Sequence, residues 1–276
     1  VLAEMSADII RFLVEQYYDV QKLRVEAFNR VVAYVKSQCL TETHQKSASH
    51  TICETQADSA VKPSTIAYSM VKSKIKQPKE ISELIWYHNS LHETEKQLAK
   101  RLDAWSKHHP LRINFLSRIQ GIGPILSSAL IAWLSPIERF ANISKLWSYC
   151  GMAPGQKRKR GAKLNYNPHL KTLMWKIASS FEKQKAEKSR YRRIYDEKKQ
   201  YYLNRDDLKR AIDEKKKGAK LHVRLMAMRY TAKRFLADLW LFWRRLEGLP
   251  VTEPYAIGVM GHSGFEGWEP DKPLQP

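Results

Sequence analysis

Apolar residues in this chain recur at intervals of three and four and nowhere alternate convincingly, so helices are the regular structure able to gather them on one side. Residues 5–37 carry Ile9, Ile10, Leu13, Val14, Tyr17, Val20, Leu23, Phe28, Val31, Val32 and Val35 at these spacings, with charges between them. Ser6 stands where it would cap the start of that helix. Residues 31–35 have strand-like composition but lie inside the helical period. The fold class expected is all-α, with a helical N-terminal region and long basic helices further on.

Residues 79–107 form a second helical run. Ile81, Leu84, Leu91, Leu98, Leu102 and Trp105 fit alternating spacings of three and four, with His88 and Glu95 in the same seam. Such a seam either packs on its own domain or serves as a coiled-coil-like arm that pairs two copies of the chain. Between the two runs, residues 39–78 are rich in Thr, Ser, Gln, His and Lys, hold Pro63 and Pro78, and show little periodicity. They read as a polar linker or weakly ordered region. Beyond 110, residues 111–150 are the least polar stretch and read as short helices around tight turns. Asn167 before Pro168 is an N-cap followed by a helix-start proline, with a helix expected to about Lys199. Further helices are expected from about Asp206 to Lys217 and from about Ala219 to Glu247, closed by Gly248 and Pro250. The tail 249–276 holds five prolines and reads as irregular.

Charge narrows the partner. Lys and Arg number 48 against 28 Asp and Glu, a net of +20. Residues 157–234 hold 26 Lys and Arg against 8 Asp and Glu, so under a third of the chain carries +18 of that excess. A solvated helix face is usually balanced in sign; this segment is lopsided and begins with Lys157-Arg158-Lys159-Arg160 in a glycine-containing loop. Tyr191, Tyr195, Tyr201, Tyr202 and Tyr230 are interleaved with the basic residues. Basic side chains neutralise phosphates and release counterions, and tyrosines either stack on unpaired bases or pack on the next helix. Nucleic acid is therefore the expected partner. A membrane is not, because no run of about 18 apolar residues occurs. Val1–Arg11 carries Glu4 and Asp8 and has no basic n-region of an export signal. With Cys39, Cys53 and Cys150 odd in number and scattered, a reducing, cytoplasmic setting is expected.

The sharpest local signal is Gly121-Ile122-Gly123-Pro124, followed by an apolar helix start. Glycine opens backbone conformations closed to other residues. Proline suits the first helical turn, and the free N–H groups there attract phosphate. Ile122 would plug the core between two helices, while Ser127 and Ser128 would let them approach closely. This is the layout of a helix-hairpin-helix element, which grips DNA backbone without reading bases. Its bland counterpart is an ordinary glycine-capped helix connection.

From that turn the chain continues with Phe140-Ala141-Asn142-Ile143-Ser144, then Leu146-Trp147-Ser148-Tyr149-Cys150-Gly151-Met152-Ala153-Pro154. A basic glycine loop follows, and then Asn167-Pro168-His169-Leu170-Lys171 opens a helix. This order resembles the C-terminal domain of the insertion-sequence family 110/116/902 transposases over residues 116–181. The resemblance implies DNA binding in transposition or recombination, with RNA as a further partner. It marks 111–248 as the DNA-binding domain. The backbone-binding turn would be shaped by Gly121, Ile122, Gly123 and Pro124. Phosphate contacts would come from Lys157, Arg158, Lys159, Arg160, Lys163 and Lys171.

Two departures bear on chemistry. Full family members carry a RuvC-like N-terminal domain whose acidic residues hold divalent metal; Glu4, Asp8, Glu15 and Asp19 instead lie along a helix. The family also places a nucleophilic serine in the basic loop, and residues 155–167 contain none. The resemblance thus extends to nucleic-acid binding further than to strand cleavage, and no catalytic residue is assigned. Cys39, His44, His50 and Cys53 have irregular spacing for zinc, so no metal site is expected, and no cofactor is evident beyond the divalent metal that strand cleavage would require.

Overall fold

The computed structural model describes residues 5–42, 62–75, 78–153 and 160–252, with backbone alone for 39–42. Among these residues the regular structure is helical and no strand occurs. The helices are α1 (Ala7–Glu42), α2 (Pro63–Val71), α3 (Ser82–Ser106), α4 (Pro110–Asn114), α5 (Pro124–Leu134), α6 (Ile143–Tyr149), α7 (Pro168–Glu182), α8 (Arg190–Leu203), α9 (Asp206–Asp213) and α10 (Ala219–Leu246). They divide into two compact units. One takes the described residues within Phe12–Leu102; the other takes those within Val1–Arg11 and Asp103–Pro276.

In the unit Phe12–Leu102, Val31 and Val35 of α1 meet Ile66, Ala67, Met70 and Val71 of α2 and Ile81 and Ile85 at the start of α3. The apolar pairs at 66–67 and 70–71 recur four apart, and Pro63 opens the helix that carries them. A stretch that reads as polar linker therefore contains a packed helix, because four apolar residues suffice for one buried face. Both polar members of the 79–107 seam have partners on α1 in this unit. His88 lies against Phe28 of α1 with ring centroids 5.9 Å apart. Glu95 accepts from Gln21 at 2.8 Å and pairs with Arg24.

Acid is expected to weaken this unit through the polar members of that seam. His88 and His92, one turn apart, stack with centroids 6.3 Å apart. Burial, together with the nearby cations Arg24 and Lys72, holds both imidazoles below the ordinary value of 6.5. Burial pushes the Glu95 carboxyl up, but its hydrogen bonds from Arg24 and Gln21 outweigh this and leave it below 4.5. A histidine held neutral by the fold contributes stability that is complete above the unfolded value and declines as pH falls below it. Glu95 adds a second loss only in stronger acid, as pH falls through its depressed value. Lowering the pH from about 7.5 to about 5.5 is thus expected to reduce the amide protection factors of α1–α3, read after correction for the slower intrinsic exchange in acid. Replacing both histidines by leucine should flatten that response; an unchanged response in the double variant would refute this account.

In the second unit, α10 is the central helix and packs on α6, α7, α8 and α9. Val223, Ala227, Phe235, Leu236, Leu239, Trp240 and Trp243 are buried along it. Trp240 donates to the carbonyl of Phe140 at 2.7 Å, and Arg244 donates to the same oxygen at 3.2 Å. One long helix expected from Pro168 to about Lys199 is in fact two, α7 and α8. Ser189 breaks it by capping α8, accepting from the backbone N–H of Arg192 at 3.3 Å. The Arg192 guanidinium turns back onto the carbonyls of Glu182 and Gln184, which the end of α7 leaves unsatisfied. Phe181 and Tyr191 stack across the corner at 4.6 Å.

Candidate nucleic-acid interface

The glycine turn begins with α4, where Pro110 occupies the first turn and His109 Nδ1 accepts from the backbone N–H of Leu111 at 3.2 Å. A short 3-10 turn, Leu116–Arg118, follows. Leu111, Phe115, Leu116 and Ile119 are buried, so this arm is anchored in the core. Gly121 then adopts φ +97°, the left-handed region that favours glycine. Its carbonyl accepts from Ser180 Oγ on α7 at 2.7 Å, and a Cβ on Gly121 would lie 3.0 Å from that Oγ. Ile122 is buried, as its place between two helices predicts, and so are Ser127 and Ser128 on α5.

Gly123 is different. Its φ is −92° and ψ −178°, extended backbone open to any residue, and a Cβ there would meet nothing within 4 Å. Neither conformation nor packing demands glycine. Gly123 is exposed beside exposed Pro124 at the start of α5, which begins without a side-chain cap. The effect of glycine here is to leave the first turn of α5 uncovered.

The base of the basic loop is built tightly. The last residues of α6 end in a Schellman arrangement: Met152 N–H donates to Trp147 at 2.7 Å and Gly151 N–H to Ser148 at 3.0 Å. Gly151 has φ +69°, and a Cβ on it would lie 3.0 Å from both Lys171 and Tyr166. Arg229 of α10 holds the outgoing chain through the carbonyls of Met152 and Ala153, at 3.1 and 2.8 Å. On the return, Asn167 N–H donates to the carbonyl of Tyr149 at 2.8 Å, and the Asn167 side chain caps α7 through Leu170 N–H at 3.1 Å.

Lys157, Arg158 and Lys159 lie outside the described residues. Arg160 and Lys163 are exposed beside Gly161, which has φ +76°. Lys171 is half-buried, its ammonium 4.4 Å from the Tyr166 ring centroid and 3.4 Å from its hydroxyl. The loop return and Lys171 thus share the N-terminal end of α7, while the glycine turn rests on Ser180 near the other end. Lys171 and Ser180 are nine positions apart, about 14 Å along the helix axis.

Several basic residues of the lopsided segment are occupied within the fold. Arg224 makes a two-pronged pair with Glu182 at 2.7 and 2.6 Å, Arg192 bonds Asp196 at 2.7 Å, and Arg205 bonds Asp207 at 2.7 and 2.8 Å. Burial lowers the ammonium of Lys176 to about 8 and pulls that of Lys233 down as well. Lys233 lies 4.1 Å from the Trp147 ring centroid. Sequence reasoning quoted Gly151 within a motif but did not single out Gly151, Arg229 or Ser180 as the pieces that fix the two elements; a glycine directly after an apolar helical stretch was the available signal.

Burial pushes the Cys150 thiol well up, which suppresses the reactive thiolate. Among the described residues no group of three or more His, Cys, Asp or Glu is arranged to hold a metal ion. Cys39, His44, His50 and Cys53 fall outside the described side chains. Among the described residues, no helix is long and apolar enough to cross a membrane.

The family model described as the transposase IS116/IS110/IS902 family matches residues 113–192. The chain is similar to that family over the glycine turn, α5, α6, the basic loop and α7, less than a third of its length. No curated protein and no solved structure matches the chain.

Proposed function

We propose that this chain is a DNA-binding protein of transposase type that grips the phosphate backbone during DNA transposition or recombination. The observation that carries this reading is Gly123, a glycine demanded by neither conformation nor packing that leaves the start of α5 bare, within a segment similar to the transposase family. We read residues 121–124 as a turn of helix-hairpin-helix type. Gly121 and Ile122 shape its backbone, Pro124 opens the helix, and the N–H groups of Gly123 and of Ile125 and Leu126 behind the proline are offered to phosphate. Lys157, Arg158, Lys159, Arg160, Lys163 and Lys171 supply the second grip, from the loop and the head of α7. RNA is the further partner that the family similarity suggests, and the cytoplasm the setting. Two copies associating through 79–107 would have to use the outer face of α3, where Trp86 is 65% exposed, because Ile81 and Ile85 are in the core of their own unit.

A second reading, a non-catalytic architectural relative, is favoured by one observation: the loop 155–167 contains no serine. Strand cleavage through divalent metal would instead require carboxylates that converge. Metal-dependent nicking of supercoiled plasmid by the purified chain would decide for cleavage.

The primary test is binding of the chain to labelled duplex DNA across a salt series. Each phosphate neutralised contributes a slope of about −0.9 in log affinity against log salt. Two grips of several cations each predict a slope of about −4 or steeper, with little dependence on sequence. Weak binding with a flat salt response would overturn the proposal.

A further inference from the structure

The interleaved tyrosines separate into two classes. Tyr191 and Tyr195 are buried on α8, one turn apart, and Tyr202 is half-buried seven residues on, along the same side. Tyr201 is displaced from that side by one helical step and is 58% exposed. Tyr230 of α10 is 37% exposed. Lys198 joins the two exposed rings: its ammonium lies 4.9 Å from the Tyr201 centroid and 4.6 Å from that of Tyr230. Tyr202 abuts Tyr201 edge-on at 5.3 Å. Packing accounts for the buried tyrosines, but leaves two aromatic rings at the surface, fixed to each other through a cation.

We propose that Tyr201 and Tyr230, linked by Lys198, form a stacking platform for unpaired bases of a single nucleic-acid strand. This rests on the nucleic-acid-binding reading above and names a different part of the ligand, bases rather than phosphates. Charge complementarity argues for a strand over a protein or lipid occupant. Residues 198–220 hold nine Lys and Arg against four Asp and Glu, and two of those four acids pair with Arg205 and Lys216. A polyanion with flat aromatic faces matches both the net charge and the exposed rings. In a duplex the base faces are occupied by their neighbours, so a platform of rings adds affinity only where bases are unpaired. A cation held over both rings also fixes their position, which lowers the ordering cost when a base stacks.

The test uses the full chain and fluorescence anisotropy with labelled oligothymidylate, oligouridylate and a duplex of the same length. Tyr201→Ala combined with Tyr230→Ala is expected to weaken single-strand binding by at least about tenfold, since each stacked base contributes roughly five- to a hundredfold. Tyr201→Phe with Tyr230→Phe should retain it, because the ring and not the hydroxyl stacks. Duplex affinity and its salt slope should stay at the wild-type values in both variants, which also reports that they fold. A greater loss on thymidylate marks a DNA strand as the ligand, and a greater loss on uridylate an RNA strand. An alanine variant that loses nothing on single strands, or loses equally on duplex, overturns the platform alone. Wild-type chain that binds neither duplex nor single strands overturns the broader proposal as well.

Discussion

Replacing Lys157, Arg158, Lys159 and Arg160 together by glutamine is expected to flatten the salt dependence of duplex binding by roughly three to four units of log–log slope, at about 0.9 for each phosphate no longer neutralised. At about 0.1 M salt this corresponds to a drop in affinity on the order of a thousandfold. The change should be nearly uniform across DNA sequences, because phosphate contacts position a protein without specifying bases. The described residues on either side of the loop are held by contacts of Arg229 and Asn167, and thermal stability is expected to be unchanged. A variant with the wild-type slope would show that these four residues do not meet phosphate, and would shift the charge argument to the helices downstream.

The second large effect is on stability. Asp238 is fully buried on α10, accepts the Tyr191 hydroxyl at 3.1 Å and faces Arg234 Nε at 3.7 Å. Burial first, and then the Asp238 negative charge, push Tyr191 well above its ordinary range, so it remains a proton donor to the carboxylate. The same ring stacks on Phe181 and meets Phe235 edge-on at 5.5 Å, which places this junction where α7, α8 and α10 converge. Asp238→Ala removes the carboxylate that both groups face and is expected to cost about 3–5 kcal/mol. Asp238→Asn keeps an oxygen acceptor for Tyr191 and should cost less. Urea denaturation followed by tryptophan fluorescence reads both; an alanine variant that unfolds at the wild-type midpoint would remove this junction from the account of stability.

Much of the fold was legible because it rests on local chemistry. The cap at Asn167 with Pro168, the stop at Gly248 and the helical spacing of α1, α3 and α10 are each decided within a few residues. The break between α7 and α8 was not, because Ser189 resembles any polar residue in a helix until Arg192 is seen to turn back onto the end of α7. The helix α2 was missed because its polar surroundings masked two apolar pairs whose partners lie on α1 and α3. At the candidate site, sequence singled out both glycines of the turn but not the difference between them. Gly121 answers to backbone conformation, whereas Gly123 answers to neither conformation nor packing, and only three-dimensional placement separates these roles. Which tyrosines are buried depends likewise on where α10 crosses α8, a tertiary fact that no local spacing encodes.

The helix α7 has a consequence of its own. It carries the head of the basic loop at one end and the seat of the glycine turn at the other, so the two proposed grips are mounted on one rigid strut. Once one grip engages a duplex, the other is confined to a small volume near it and meets the same molecule at an effective concentration on the order of millimolar. On the proposed reading, two individually weak contacts would behave as a bivalent ligand, and the residence time on DNA would depend on their product rather than their sum. A glycine pair introduced at exposed positions in the middle of α7 would loosen the strut and shorten that residence time without removing a single charge.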